Sequence, residues 1–278
     1  MNSANSHDNN HLSVCMLASG SKGNAIFVSR GSASVLVDAG LSGIEIERRM
    51  KSGGLEIRNL DAILVSHEHS DHIRGVGVLS RRFGVPVCMS RKTEQAAASR
   101  LGRLHEVRHF ECGSAFEING LSIRPFSISH DADDPAGFTV QHKGVKIGIA
   151  TDLGIATAMV KSHLRNCNLL ILEANHDPDM LISGPYPWPL KQRIRDRTGH
   201  LSNEASRDLI GEIRHEKLSH IILAHLSETN NTPRKALNVV SEAISGNGCR
   251  TGITVAKQQV RSEVLHIGGC IRQNLGGP

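Results

Sequence analysis

The motif HEHSDH at residues 67–72, directly after the apolar strand-like run DAILVS at 61–66, constrains this chain more than any other feature. While the chain is still extended beyond the strand, His67 and His69 point the same way by the two-residue period. A turn through Ser70 then swings Asp71 and His72 toward a second position. Three imidazoles placed so closely would each need a polar partner if they were core filler. A metal ion offers that partner directly; the alternative is a solvated histidine-rich loop. The chain carries 16 histidines, so the next question is where the others fall.

Composition narrows the setting. The chain has 278 residues, 39% of them hydrophobic with 27 glycines besides, enough for a sizeable core and for one large α/β domain or two smaller ones. No apolar run approaches the ~18 residues that a spanning helix needs, and the polar N-terminus lacks the features of a signal peptide. We therefore expect a cytoplasmic protein with no membrane partner. The six cysteines are dispersed, with no pair at zinc-ribbon or redox spacing, which reads as small buried hydrophobes in a reducing compartment. The net charge of +5 permits an anionic partner such as nucleic acid without demonstrating one.

Residues 1–11 read as a disordered tail. Three short strands follow, over 12–18, 25–29 and 34–38, separated by the turns SGSKGN (19–24) and RGS (30–32). Ser42 and Glu45 have the spacing of a capping box for a helix that stops before Gly53. Further helices are predicted over 75–83, 93–101, 155–164, 205–212 and 233–243, and strands over 61–66, 85–89, 169–173 and 218–224. Asn119-Gly120 and Lys143-Gly144 mark two tight hairpins, 175–199 is irregular and proline-rich, and 251–265 reads as one closing strand. Hairpins argue against a purely parallel sheet, and strand-loop-helix joints argue against an all-β sandwich. Two mixed sheets packed face to face with helices outside satisfy both.

Further metal-binding side chains lie where apolar strands give way to loops. His130 follows a serine-rich strand end, Asp152 follows KIGIAT (146–151) and His225 follows IILA (221–224), so all can lie at one sheet edge. With these residues in place, the HxHxDH element resembles the metallo-β-lactamase superfamily, mostly two-metal hydrolases built as αββα sandwiches. The resemblance implies that His67, His69 and His130 bind one metal, that Asp71, His72 and His225 bind the second, and that Asp152 bridges them. Nitrogen and carboxylate ligands without a thiolate suit Zn²⁺ or Mn²⁺, with iron also compatible. Two divalent ions close together favour phosphodiester hydrolysis and would serve a carbonyl substrate too.

Glu173, ending an apolar strand, and His200, in GHLS (199–202), resemble the Glu and His of the ribonuclease Z and phosphodiesterase branches. There His200 would be the general acid and Glu173 its orienter; a plain helix-terminus contact and a solvent-facing carboxylate are the structural alternatives. Asp38 resembles the superfamily's early aspartate, which accepts from a metal-binding histidine. Asn24 is a candidate to orient a ligand, in a loop that is otherwise a hairpin turn or a phosphate cradle. The strings ASGSKGNA, VSHEHSDHIRGVGVL, ISHDADDPAGF, TDLG, LEANHD, GPYPWPLKQRI and GHLSNEAS narrow the resemblance to the double-stranded-DNA 5′-exonuclease-like branch. It runs over nearly the whole chain from Leu12 and implies one hydrolase domain over 12–278.

That branch implies a two-metal phosphodiesterase, a DNA 5′-to-3′ exonuclease, with nucleic acid (DNA before RNA) as substrate. His176 and Asp177 belong to its pattern as site-lining residues, and the proline-rich stretch reads as a substrate-facing lid. Lys191, Arg193, Arg195 and Arg197 are candidates for phosphate contact or simply solvated. The low aromatic content, 3% including Tyr186 and Trp188, argues against extensive base stacking. The alternatives are a small cyclic phosphodiesterase, an RNA-processing nuclease, or a regulator that binds nucleic acid without turnover. No Walker A sequence and no G-x-G-x-x-G opening a βαβ unit are present, so no nucleotide cofactor is expected.

Overall fold

Strands that are apolar at every position are buried on both faces, and the alternation within them separates three cores. In the computed structural model, which describes residues 11–245 and 251–268, β1 (Leu12–Ala18) sends Leu12, Val14 and Met16 to a central core and Cys15 and Leu17 to an outer one. After it come β2 (Ala25–Arg30), β3 (Ala33–Val37), α1 (Gly43–Ser52), β4 (Ala62–Leu64), α2 (Ser70–Ile73), α3 (Val76–Phe83), β5 (Val87–Met89), α4 (Arg91–Leu101) and β6 (Val107–His109). They form a mixed sheet in the order β14-β1-β2-β3-β4-β5-β6, parallel from β3 to β6, where β14 is Leu265–Ile267. Ile46 and Met50 of α1, Val76 and Leu79 of α3, and Ala97 and Leu101 of α4 cover its outer face.

The second half supplies β7 (Phe116–Ile118), β8 (Leu121–Ser127), β9 (Ala136–His142), β10 (Val145–Ala150), α5 (Ala158–Leu164), β11 (Leu169–Glu173), α6 (Pro178–Ser183), α7 (Trp188–Arg195), α8 (Asn203–Ile213), β12 (His220–Ala224), α9 (Pro233–Ser241) and β13 (Gly252–Val255). Its sheet runs β13-β12-β11-β10-β9-β8-β7 and is parallel from β10 to β13. Leu169 and Ile171 of β11 face the central core, while Leu170 and Leu172 face α5, α8 and α9. The result is an αββα sandwich of two mixed sheets with outer helices, as the sequence pattern requires.

Local signals act where expected. Ser42 Oγ accepts from the Glu45 amide at the start of α1, and Asn119-Gly120 and Lys143-Gly144 take the paired positive φ angles of tight hairpin turns. Two expectations need correction, and one strand was not foreseen. Residues 251–265 are not one strand: β13 pairs with β12 and β14 with β1, because the chain between them crosses from one sheet to the other. That crossing is fastened by Ser262 N donating to Met16 O and Arg49 Nη1 donating to Gln258 O. The stretch 175–199 holds two short helices, α6 and α7, whose prolines sit in the first turn, where no amide is needed. β6, half-exposed and three residues long, had no readable alternation. Residues 1–10 of the expected tail lie outside the described residues; His11 leads directly into β1. Among the described residues no helix is long and apolar enough to cross a membrane.

Candidate active site

The parallel strands of both sheets end at one rim, the usual place for ligands in such sheets. His67 follows β4, Asp152 follows β10, Glu173 ends β11 and His225 follows β12. His69 is the N-cap of α2, whose first turn carries Asp71 and His72. The Asn24 amide donates to Asp71 O at 2.7 Å and the Ala39 amide to His72 O at 2.8 Å, clamping that turn to the β3 end. Close approach here requires glycine: a Cβ on Gly40 would stand 1.6 Å from Asp71 O.

Two clusters result around the HEHSDH motif, and a third, of Asp152, Glu173, His200 and His225, overlaps them. The donor atoms of His67, His69 and His130 lie within 4.8 Å of one another, and so do those of Asp71, His72, Asp152 and His225. Asp152 faces both, with Oδ1 3.8 Å from His130 Nε2 and Oδ2 3.2 Å from His72 Nε2. The buried atoms His67 Nε2, His225 Nε2 and Asp152 Oδ2 have no hydrogen-bond partner. Polar atoms so placed are costly unless something else satisfies them. A nitrogen and carboxylate donor set converging on them fits divalent cations.

The surrounding groups fix which nitrogen faces inward. His72 Nδ1 donates to Asp38 Oδ2 at 2.7 Å, and Asp38 is itself held by the Ser66 amide and hydroxyl, each donating at 2.8 Å. Glu173 does this twice with one oxygen: His200 Nδ1 and His225 Nδ1 donate to Oε1 at 2.9 and 2.8 Å, while the Leu153 and Leu201 amides donate to Oε2. Each histidine so held turns its Nε2 away from the carboxylate. Asn24 Nδ2 reaches Asp71 Oδ2 and His72 Nε2 at 3.3 and 3.2 Å. The loop that carries Asn24 is therefore a turn built onto the site.

Burial disfavours charge on all these groups, yet their opposite charges outweigh it. His225 and His72 hold Asp71 and Asp152 below the usual carboxylate range, and His200 and His225 do the same for Glu173. Reciprocally, Asp152 and Asp38 raise His72, Glu173 raises His200, and Asp152 raises His225. His67 and His130 go the other way, pushed down chiefly by burial, which favours the neutral imidazole, the form that binds a metal.

A family described as the Beta-lactamase superfamily domain matches residues 33–225, most of the chain. The chain belongs to the metallo-β-lactamase superfamily. It is 36% identical over 244 residues to the exodeoxyribonuclease YycJ of Bacillus anthracis, covering 87% of this chain and 92% of that protein. It is also 36% identical over 241 residues to the exodeoxyribonuclease WalJ of Streptococcus pneumoniae, covering 84% and 90%. The crystal structure of the metallo-β-lactamase fold protein YhfI from Bacillus subtilis shares the fold, with TM-score 0.72 at 17% identity over 92% of this chain and 99% of that one. This superfamily member is a metal-dependent hydrolase related to enzymes that process nucleic acids.

A cavity of about 320 Å³ opens over the clusters, and Tyr186, Leu190 and Ile194 from the proline-rich stretch form part of its wall. Tyr186 Oη donates to Thr229 Oγ1. Two expectations about this stretch are corrected. His176 and Asp177 do not line the cavity: Asp177 caps α6 and pairs with Lys235, and both side chains are buried behind the rim. Lys191 is not a phosphate contact, because its buried Nζ donates to Ile182 O and Gly184 O.

Sequence reasoning missed Ser66, Ser19 and Asn175. Ser66 Oγ contacts His67 Nδ1 at 3.0 Å, Ser19 Oγ accepts from the His225 amide, and Asn175 Nδ2 donates to His225 O. A polar residue just past an apolar strand was the one available signal, present for all three.

Proposed function

We propose that this hydrolase is a two-metal phosphodiesterase acting on DNA, an exonuclease that digests from the 5′ end. In this reading His67, His69 and His130 hold one divalent cation, Zn²⁺ or Mn²⁺, and Asp71, His72 and His225 hold the other, with Asp152 between them. The observation that carries it is His200, held by Glu173 at the mouth of the cavity beside both clusters. Bound there, the cations supply Lewis-acid activation of a water and neutralise charge on a phosphoryl group.

The chain's own residues do the rest. Asp38 and Glu173 keep the protons of His72 and His225 on Nδ1, so that Nε2 is the nitrogen offered to the cluster. Glu173 also stabilises the protonated form of His200. With Nδ1 committed to Glu173, His200 has Nε2–H to give to a departing alcohol oxygen, a general-acid role worth about 10²–10⁴ in rate. The lid residues narrow access of water to the cavity.

DNA as substrate is supported by the full-length similarity to exodeoxyribonucleases. The 5′-to-3′ direction rests on the sequence resemblance to the double-stranded-DNA 5′-exonuclease-like branch. The test is a time course on 5′-phosphorylated, 3′-labelled duplex DNA with Mn²⁺, with Asp71→Ala as control. Progressive shortening from the 5′ end by wild type alone is expected. DNA left intact by protein of confirmed metal content overturns the reading in favour of small phosphodiesters or RNA.

A further inference from the structure

The basic run that follows the lid prolines splits by position. Among the described residues that line the cavity, Arg193 is the one lysine or arginine. Its neighbour Lys191 is spent on two carbonyls inside the lid. Arg193 Nε and Nη2 donate to one oxygen of Asp131, Oδ2, at 2.7 and 2.5 Å, and the other oxygen, Oδ1, lies 3.4 Å from His130 Nε2. A guanidinium has five N–H donors in a rigid plane. Asp131 uses two and fixes the plane, leaving three for another acceptor.

The backbone under Arg193 is equally fixed. The His200 amide donates to Ile194 O at 2.9 Å, and Ser129 Oγ donates to Arg197 O at 2.8 Å. A Cβ on Gly199 would stand 2.4 Å from Arg193 O, so the end of α7 and the turn carrying His200 pack with no space between them. Arg193 and His200 thus belong to one rigid unit, a few residues apart, both facing the cavity. A planar cation held in place by Asp131, its side chain 64% exposed at the edge of a cavity beside two metal-binding clusters, matches an anion with paired oxygens, such as a phosphodiester.

We infer that Arg193, oriented by Asp131, grips the substrate phosphate next to the scissile one and so sets affinity for polynucleotide over small phosphodiesters. The inference rests on the nuclease reading above and deepens it. Arg193 is a binding residue here, and Asp131 a positioning residue that acts through it.

The experiment compares metal-loaded wild type, Arg193→Ala and Arg193→Lys on 5′-phosphorylated duplex DNA and on bis(p-nitrophenyl) phosphate, which has no neighbouring phosphate. Arg193→Ala should raise KM for DNA about ten- to a hundred-fold while kcat falls no more than about three-fold, the pattern of a lost charge-assisted contact. The loss on bis(p-nitrophenyl) phosphate should be at least about ten-fold smaller than on DNA. The slope of log(1/KM) against log salt should shrink by about 0.9, the value for one phosphate contact, and Arg193→Lys should restore that slope without restoring full affinity. A lid weakened by the substitution would lower both activities together and leave the salt slope alone; that result, or an unchanged KM for DNA, overturns the inference. If wild type hydrolyses bis(p-nitrophenyl) phosphate and leaves every DNA intact, the nuclease reading fails first, and the inference falls with it.

Discussion

Glu173→Gln should damage this protein more than its single-atom change implies. The side chain is fully buried and accepts four hydrogen bonds: His200 Nδ1 and His225 Nδ1 on Oε1, and the Leu153 and Leu201 amides on Oε2. A carboxamide offers one oxygen and an NH₂, so one donor pair must face donors. If the NH₂ meets the two backbone amides, two bonds to a charged acceptor are lost at about 1.5–3 kcal/mol each, or about 3–6 kcal/mol together. If it meets the histidines, both can shift their proton to Nε2. That relieves the clash and removes the His225 lone pair from the Asp71 cluster together with the charged form of His200.

The second arrangement costs less stability and more function. Expected outcomes are a metal affinity about 10–100-fold weaker and turnover down by about 10²-fold or more. The melting temperature should fall by about 6 °C or more if the first arrangement is populated, at about 2–4 °C per kcal/mol for a chain of this size. Metal titration, single-turnover cleavage and thermal unfolding on one preparation read all three. A variant with wild-type metal affinity and turnover would refute the claim that one carboxylate sets the tautomer of both histidines.

Other substitutions separate roles within the same rim. Asp71→Ala should abolish activity and lower metal content by elemental analysis, whereas His200→Ala should lower turnover with metal retained; normal cutting by His200→Ala would remove it as the acid. Gly40→Ala puts a methyl 1.6 Å from Asp71 O and 2.7 Å from Asn24 N, so urea unfolding should show a loss of about 3 kcal/mol or more, toward the large end of single-site effects. Lys191→Met strips the donor from Ile182 O and Gly184 O, a loss of about 2 kcal/mol or more, and limited proteolysis should then cut faster within 178–195 than in wild type.

Much of this site was legible because its residues sit at fixed points of a readable pattern. HEHSDH follows an apolar strand, and Asp152, Glu173 and His225 each stand at a strand end that a run of Leu, Ile, Val or Ala makes plain, while His130 follows a serine-rich strand end. The residues that hold them were less visible because their bonds are long-range. The Ser19 hydroxyl that receives the His225 amide lies 206 residues away in the chain, and no local spacing announces such a pair. The basic run shows the same limit. Lys191 and Arg193 look alike in sequence, but the turn of α7 buries one amine against Ile182 O and Gly184 O and turns the other residue's guanidinium to the cavity. The closing segment misled for another reason: two short strands of different sheets are joined by the polar connection AKQQVRSEV (256–264), which carries no glycine or proline to mark the break.

The backbone of the rim explains why this chemistry sits at strand ends. Asp38, Asp152 and His225 have φ angles of 59°, 57° and 54°, and each follows a buried strand, β3, β10 or β12. Left-handed backbone at a residue with a Cβ costs about 1–2 kcal/mol, so it persists where neighbours hold it. Here the holding bonds are identifiable. The Asp38 amide donates to Leu64 O, the His225 amide donates to Ser19 Oγ and its carbonyl accepts from Asn175, and the residues after Asp152 donate to Glu173 and Ser129. Glycine would remove the strain at each position and with it the carboxylate or imidazole. The strained conformation is therefore retained where a functional side chain must leave a strand end and turn back over the rim. One of these bonds, at the turn after Asp152, runs to Glu173, which also orients His200 and His225. The turn after Asp152, the His225 tautomer and the proposed acid thus share one buried carboxylate, so changes at Glu173 should affect stability, metal binding and turnover together.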